Sequence, residues 1–253
     1  MEVHHPPDLH HQPKPWKEYF VEFIMIFLAV TLGFFAESLR EYRSDRAKEK
    51  EYVISFLKNL AQDTSDLNYF ISENKKKVNG LDTLGDVITR YLDNAEFYEQ
   101  NFDNLYFDSV YQYCSLYIGL KYIFQSSNAT MVQLKNSGEF RLIQTGHAGD
   151  SIAVYDVINE RTQLNSNIYM DLSTQLFDTW ARCLDLSYLT RNRSFLYVPR
   201  SAIIAGPDGM KYFYNKTIQC AATIDSYATT HLKRQLECAR RLIAYLKKVY
   251  NIS

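Results

Sequence analysis

Apolar positions follow two different rhythms along this chain, and the change between them falls near residue 38. From Phe23 to Ala36 there is no charge, and Tyr19, Phe20 and Val21 extend the apolar stretch to about 18 residues, broken only by Glu22. As a helix that is about 27 Å, enough to cross the hydrocarbon core of a bilayer. Its apolar residues surround the axis instead of forming a stripe, which predicts insertion through a membrane over lying along its surface. Trp16 and Tyr19 stand where an interfacial aromatic belt would be, and Lys14 and Lys17 are within reach of headgroups. A cleaved signal, with Thr31-x-Gly33 as a weak cleavage pattern, and a buried core helix are the competing readings. Glu22 and the large Phe34 and Phe35 count against the signal.

Beyond the apolar block the period changes. Val53, Leu57, Leu60, Thr64, Leu67, Ile71, Asn74, Val78, Leu81, Gly85, Ile88 and Leu92 alternate in steps of four and three, a heptad seam that predicts one long helix over 39–93. An intermolecular coiled coil and an intramolecular bundle both satisfy it. Phe56 and Phe70 widen the apolar face and favour the bundle, while Gly80 and Gly85 are places where the helix is expected to bend.

The run LYFDSVYQYCSLYIGLKYIF is rich in Tyr, Ile and Phe and fits helix or strand; its helical face supports a helix to about Leu116 and leaves the rest open. Ser127 or Asn128 is a cap for a short helix that Gly138 stops. From Asp150 to about Leu184 a helix is expected to bury Ile152, Tyr155, Tyr169, Leu172, Leu176 and Trp180. Residues 185–216, with Pro199 and Gly206-Pro207-Asp208-Gly209, read as an insert, a loop or small hairpin. A final helix carries Ile224, Leu232, Leu236, Leu242, Ile243 and Leu246 on one side. The predicted fold is therefore mainly α: a disordered His/Pro-rich tail (1–15), a transmembrane helix (16–38) continuing into a long helix (39–93), then an antiparallel helical bundle with the insert (94–253).

Composition agrees with a folded chain. In 253 residues, 46% are apolar and 15% aromatic, enough for a sizeable core. The 28 basic and 29 acidic residues nearly cancel, so no global field recruits nucleic acid. Cys114, Cys183, Cys220 and Cys238 form no CxxC pair. Cys220 and Cys238, about 27 Å apart on one helix, are too distant to bridge, and buried free thiols are expected.

Candidate chemistry is sparse. There is no Gly-rich phosphate loop, no HExxH and no GxSxG elbow, so no catalytic residue, no cofactor and no enzymatic activity are expected. Four histidines, His4, His5, His10 and His11, lie in HHPPDLHH and are weak metal candidates with Asp8. His147 and His231 have no motif partners, and Asp63 and Asp66 are expected on a solvated helix surface. Arg191, Arg193 and Arg200 in the insert either gather an anion or a partner, or keep a loop soluble. Inside the apolar block, Glu22 is an intramembrane carboxyl near enough to the interface to snorkel, and Ala29-x-x-x-Gly33 is a small-xxx-small spacing suited to close helix approach. Arg40, Arg43, Arg46, Lys48 and Lys50 follow the block, which by a simple positive-inside count puts the C-terminal part in the cytoplasm; interspersed acids dilute that signal.

WKEYFVEFIMIFLAVTLGFFAE (16–37), TMVQLKNSGEFRLI (130–143), SIAVYD (151–156) and the ending RRLIAYLKKVY together resemble an uncharacterised family of bacterial single-span membrane proteins. The resemblance covers most of the chain, and L-K-x-S-G-x-x-R-L-I is its most specific part. It implies a membrane anchor followed by a helical domain, with no activity or catalytic residue to carry over, and it leans toward a domain outside the cytoplasm. The expected role is a structural or protein-interaction module at the bacterial inner membrane, with lipid and a protein partner or second copy as its contacts and the periplasmic side slightly favoured. A membrane-tethered bundle that binds a small molecule or anion is the alternative.

Overall fold

In the computed structural model the described residues are 15–94, 96, 104–188 and 202–252. The histidines at 4, 5, 10 and 11 and the arginines at 191, 193 and 200 lie outside them, as does the tail before residue 15. The fold is mainly α, with no strand among the described residues. Helix α1 (Trp16–Asp93) is followed by α2 (Asn104–Tyr117), α3 (Ala129–Ser137), a 3-10 turn (Glu139–Leu142), α4 (Ala148–Cys183), α5 (Pro207–Ser226), a π-helical turn (Tyr227–Leu232) and α6 (Lys233–Tyr250). Contacts divide the chain into two units between Glu51 and Tyr52, within α1.

In the first unit α1 carries a stretch long and apolar enough to cross a membrane, with its side chains outward. Trp16 stacks on Phe20 and Phe23 on Phe27, each one turn on. Glu22 is half-exposed, and Ala29 and Gly33 are exposed one turn apart. A side chain at Gly33 would meet nothing within 4 Å. Beyond the apolar stretch the helix is tied by its own charges: Arg40 pairs with Glu37, and Arg46 reaches Glu49 at 2.5 Å while lying 5.1 Å from the Tyr42 ring.

The second unit is a four-legged bundle, and its hydrogen bonds give the direction of each leg. His147 pairs with Tyr245, Asn159 with Gln235, Ser173 with Cys220 and Cys183 with Gly209, so α5–α6 runs antiparallel to α4. Asp63 meets Tyr155 and Lys77 meets Tyr169, so α1 and α4 run parallel. The second leg is composite: Tyr117 packs on Gly80, Tyr122 on Asn74, Ser126 on Asp63, Thr130 on Asn59 and Glu139 on Tyr52. Thus α2, residues 118–128, α3 and the 3-10 turn descend α1 in one antiparallel line.

The heptad seam faces inward. Leu67, Leu81 and Ile88 pack with Val110 and Cys114 of α2, Tyr169 and Trp180 of α4, and Phe213 and Ile224 of α5. Val53 and Leu60 pack with Met131 and Leu134 of α3, Ile152 and Tyr155 of α4, and Leu242 and Leu246 of α6. The seam is thus the core of an intramolecular bundle. Leu172 and Ile243, expected inside, are half-buried at its margin. All four cysteines are free thiols, and Cys114, Cys183 and Cys220 are buried.

Three local features differ from the sequence expectation or explain it. α1 runs on as one helix through Gly80 and Gly85, where neighbours approach closely: an added Cβ would lie 2.5 Å from Tyr117 ring carbons and 2.9 Å from Ile218 Cδ1. Gly80→Ala is expected to cost about 1–3 kcal/mol of stability, as overpacked sites do. A second change, Tyr117→Ala, should recover part of it in a denaturant titration. Gly206-Pro207 opens α5 instead of turning a hairpin: proline at the first helical position supplies its fixed φ, and Asp208 sits in the first turn against the helix dipole. Residues 207–216, expected in the insert, are helical for this reason, and the base of the insert is closed by one antiparallel bridge, Leu184–Ile203. Gly138 ends α3 at φ +69°, the left-handed stop that favours glycine, and gives the S-G-x-x-R-L-I stretch its turn.

Candidate functional site

The second leg unwinds where the other three stay helical. Residues 118–128 form no helix, yet Ile118 and Phe124 are fully buried while Gly119, Leu120, Lys121 and Gln125 are exposed. A backbone in this state carries N–H and C=O groups that need partners away from water. Side chains from all three other legs supply them.

From α1, Lys77 donates to the Leu120 carbonyl, and Asn74 Nδ2 donates to Tyr122 O at 2.8 Å and to Phe70 O at 2.9 Å. From α4, Tyr169 OH accepts from Tyr122 N at 3.2 Å, and Gln163 Nε2 donates to Phe124 O at 3.2 Å. From the π turn, Tyr227 OH accepts from Phe124 N at 3.2 Å, and its ring lies 5.6 Å from that of Tyr169. At the lower end the Asp63 carboxylate accepts from the Ser126 hydroxyl, from Ser127 N at 2.7 Å and from Tyr155 OH at 2.6 Å. Gln235 of α6 joins this cluster through Asn159 at 3.0 Å and Tyr155 OH at 3.4 Å.

Asp63 corrects the sequence reading. It is 1% exposed and buried, whereas Asp66, one turn on, is only half-buried. Its two oxygens take three donors from two other legs, which is how a carboxylate is kept inside a core. Lys77, like Glu49 of the first unit, is also 1% exposed. Burial pulls its ammonium down from 10.5 to about 8, and its nitrogen lies 5.2 Å from the Tyr169 ring centre. Burial pushes the phenols of Tyr155 and Tyr169 well up, and that of Tyr227 to about 12; for Tyr155 the Asp63 charge adds to the same direction. These shifts follow from desolvation first, and every one of these groups is engaged with the unwound segment or its neighbours. The cluster is built to hold backbone.

Cavity size points the same way. The space bounded by Asp63, Ser126, Tyr155 and Asn159 holds about 10 Å³, room for about one water, where ligand pockets run to roughly 300 Å³ and more. The larger hollows, about 250–480 Å³, are open grooves on the surface. No family model, curated protein or solved structure matches this chain.

Among the described residues no group of three or more His, Cys, Asp or Glu is placed to hold a metal ion. His147, exposed, stands 3.6 Å from Asp150 at the start of α4, and His231, half-buried on the π turn, has its imidazole lowered by burial and by Arg234. The buried polar set of Asp63, Asn74, Lys77, Tyr169, Tyr227 and Gln235 went unnoticed as a group in the sequence. Singly, Asn74 stands in the predicted seam and Tyr169 on the predicted buried face of its helix.

Proposed function

We propose that this protein is a single-pass, membrane-anchored helical module of the bacterial envelope that acts structurally or by docking a partner protein, and that it is not an enzyme. The observation that carries the reading is the use of the buried polar groups. Asp63, Asn74, Lys77, Gln163, Tyr169 and Tyr227 bond the backbone of residues 118–128 and Tyr155 holds Asp63, leaving about 10 Å³ inside the cluster, although Asn74 Oδ1 and Gln235 Oε1 have no partner among the described residues. A bundle whose interior is committed in this way has its outer face left for recognition. The apolar, outward-facing start of α1 supports a tether in the inner membrane. The resemblance to single-span membrane proteins supports a domain on the periplasmic side.

The test is fractionation followed by capture. The full chain should stay with membranes through alkaline carbonate and high salt and leave them only in detergent; release by carbonate overturns the tether. A tagged copy solubilised in mild detergent should bring down a stoichiometric protein, either different from itself or an untagged copy of this chain.

A further inference from the structure

Helix α4 is apolar on two opposite faces. The inner face, with Ile152, Tyr155, Tyr169 and Leu176, lies in the core. The outer face repeats the same three-and-four spacing two residues later: Val154, Val157, Leu164 and Ile168 are 56%, 48%, 65% and 54% exposed, with exposed Arg161 in the middle of the row. This row covers about 21 Å of helix, and nothing in the bundle requires it to be apolar. Shallow grooves of about 480 and 310 Å³ flank it, one beside Leu164 and the other beside Ile168. A ridge between two grooves is the shape that helix packing uses.

The row is also symmetric about Glu160 and Arg161. Val157 lies three residues before Glu160 and Leu164 three after Arg161; Val154 lies six before and Ile168 seven after. Two such helices placed antiparallel set Val157 against the partner's Leu164 and Val154 against the partner's Ile168. The same placement brings Glu160 to the partner's Arg161, twice across the axis. Arg161 is available for it, and Glu160 has only a shared, longer pairing. Among the described residues no carboxylate lies within 4 Å of Arg161, and Lys135, at 2.5 Å from Asp156, reaches Glu160 only at 3.8 Å. A patch that complements itself in shape order and in charge is the signature of an isologous twofold contact.

We infer that the outer face of α4 is a self-docking surface, on which a second copy of this chain packs antiparallel through Val154, Val157, Leu164 and Ile168 with reciprocal Glu160–Arg161 pairs at the centre. The inference rests on the interaction-module reading and names its partner.

A charge-swap cycle on the full chain in detergent tests it, read as protein molar mass corrected for bound detergent. The wild type should be a dimer. Arg161→Glu and Glu160→Arg each set like charges across the axis and should weaken the dimer by about tenfold or more. The double swap, Glu160→Arg with Arg161→Glu, should restore it, a recovery that a merely structural role for these exposed residues would not give. A wild-type dimer that either single change leaves intact overturns the inference. So does a dimer that survives these changes and is lost in Gly33→Leu, which would place self-association in the apolar segment. A monomer that co-purifies with a different protein overturns self-docking while keeping the interaction module, and a monomer with no companion overturns both.

Discussion

Asp63→Ala is expected to lower the unfolding free energy of the bundle by about 4 kcal/mol. The carboxylate takes donors from the Ser126 hydroxyl, Ser127 N and Tyr155 OH inside a nearly closed space. Each buried donor left without an acceptor costs roughly 1–3 kcal/mol. The three do not contribute equally. The Ser126 hydroxyl is free to rotate, whereas Ser127 N is fixed by the backbone, and the Tyr155 hydroxyl, which accepts from Gln235 Nε2 at 3.4 Å, gains no acceptor from that contact. That asymmetry holds the total well below three full penalties. Asp63→Asn keeps one carbonyl oxygen of nearly the same shape, so it should cost about half as much, with the loss concentrated where the new amide faces a donor. Denaturant midpoints of the full chain in one detergent measure both. An alanine variant within about 1 kcal/mol of wild type, or an asparagine variant as damaging as alanine, removes the carboxylate from its role as the lower anchor of the unwound leg.

The legibility of this fold varied with the range of the interactions that make it. The seam from Val53 to Leu92 was visible because its period is local, and its burial in the two core clusters follows from the widened face at Phe56 and Phe70. The inner face of α4 and the stop at Gly138 were visible for the same reason. The unwound segment was not. Its Tyr-, Ile- and Phe-rich sequence fits helix and strand alike, and what decides the matter is a set of partners far away in the chain. Asn74 lies 48 residues from Tyr122, and Phe124 lies 103 from Tyr227. No local pattern announces such pairs.

Asp63 was misplaced because it falls beside the seam, between Leu60 and Thr64, where a charged residue ordinarily marks the solvated edge of a helix. Its burial is imposed by the second leg, which brings two serines across it. Gly206-Pro207 was read as a turn because proline and glycine punctuate turns and helix starts alike; which one applies depends on the residues after them, and Met210 and Phe213 then enter the core at helical spacing. The outer row of α4 was missed for a different reason. A helix is usually assigned one apolar face, and once Ile152, Tyr155 and Tyr169 had been given to the core the second row had no role. The π turn, which aims Tyr227 at Phe124, has no sequence mark at all.

Stability of the bundle should rise slightly up to a little above pH 8 and then fall steeply. Lys77 sets the rise. Burial lowers its ammonium from 10.5 to about 8, with Lys121 acting in the same direction and Cys220 opposing. Between those values the unfolded chain holds the proton and the folded chain does not, so the unfolded state binds more protons and stability increases with pH. Acting alone, Lys77 would contribute about 3 kcal/mol across its full window. It does not act alone. Burial raises the thiols of Cys114, Cys183, Cys220 and Cys238 above 9.0, and raises the phenols of Tyr111, Tyr155, Tyr169 and Tyr227 above 10.0. For these groups the unfolded chain ionises first and binds fewer protons, so stability falls as pH passes their ordinary values. Each group changes the slope by at most about 1.4 kcal/mol per pH unit, and above pH 10 several tyrosines and cysteines act against one lysine. Denaturant midpoints from pH 7 to 12 should show a shallow maximum a little above pH 8. Lys77→Met should erase the rise and leave the fall; Tyr227→Phe should leave the rise and flatten the fall between pH 10 and about 12. A rise that persists in Lys77→Met would mean that the ammonium is not the buried charge that titrates, and the upper anchor of the unwound leg would then have to be reassigned.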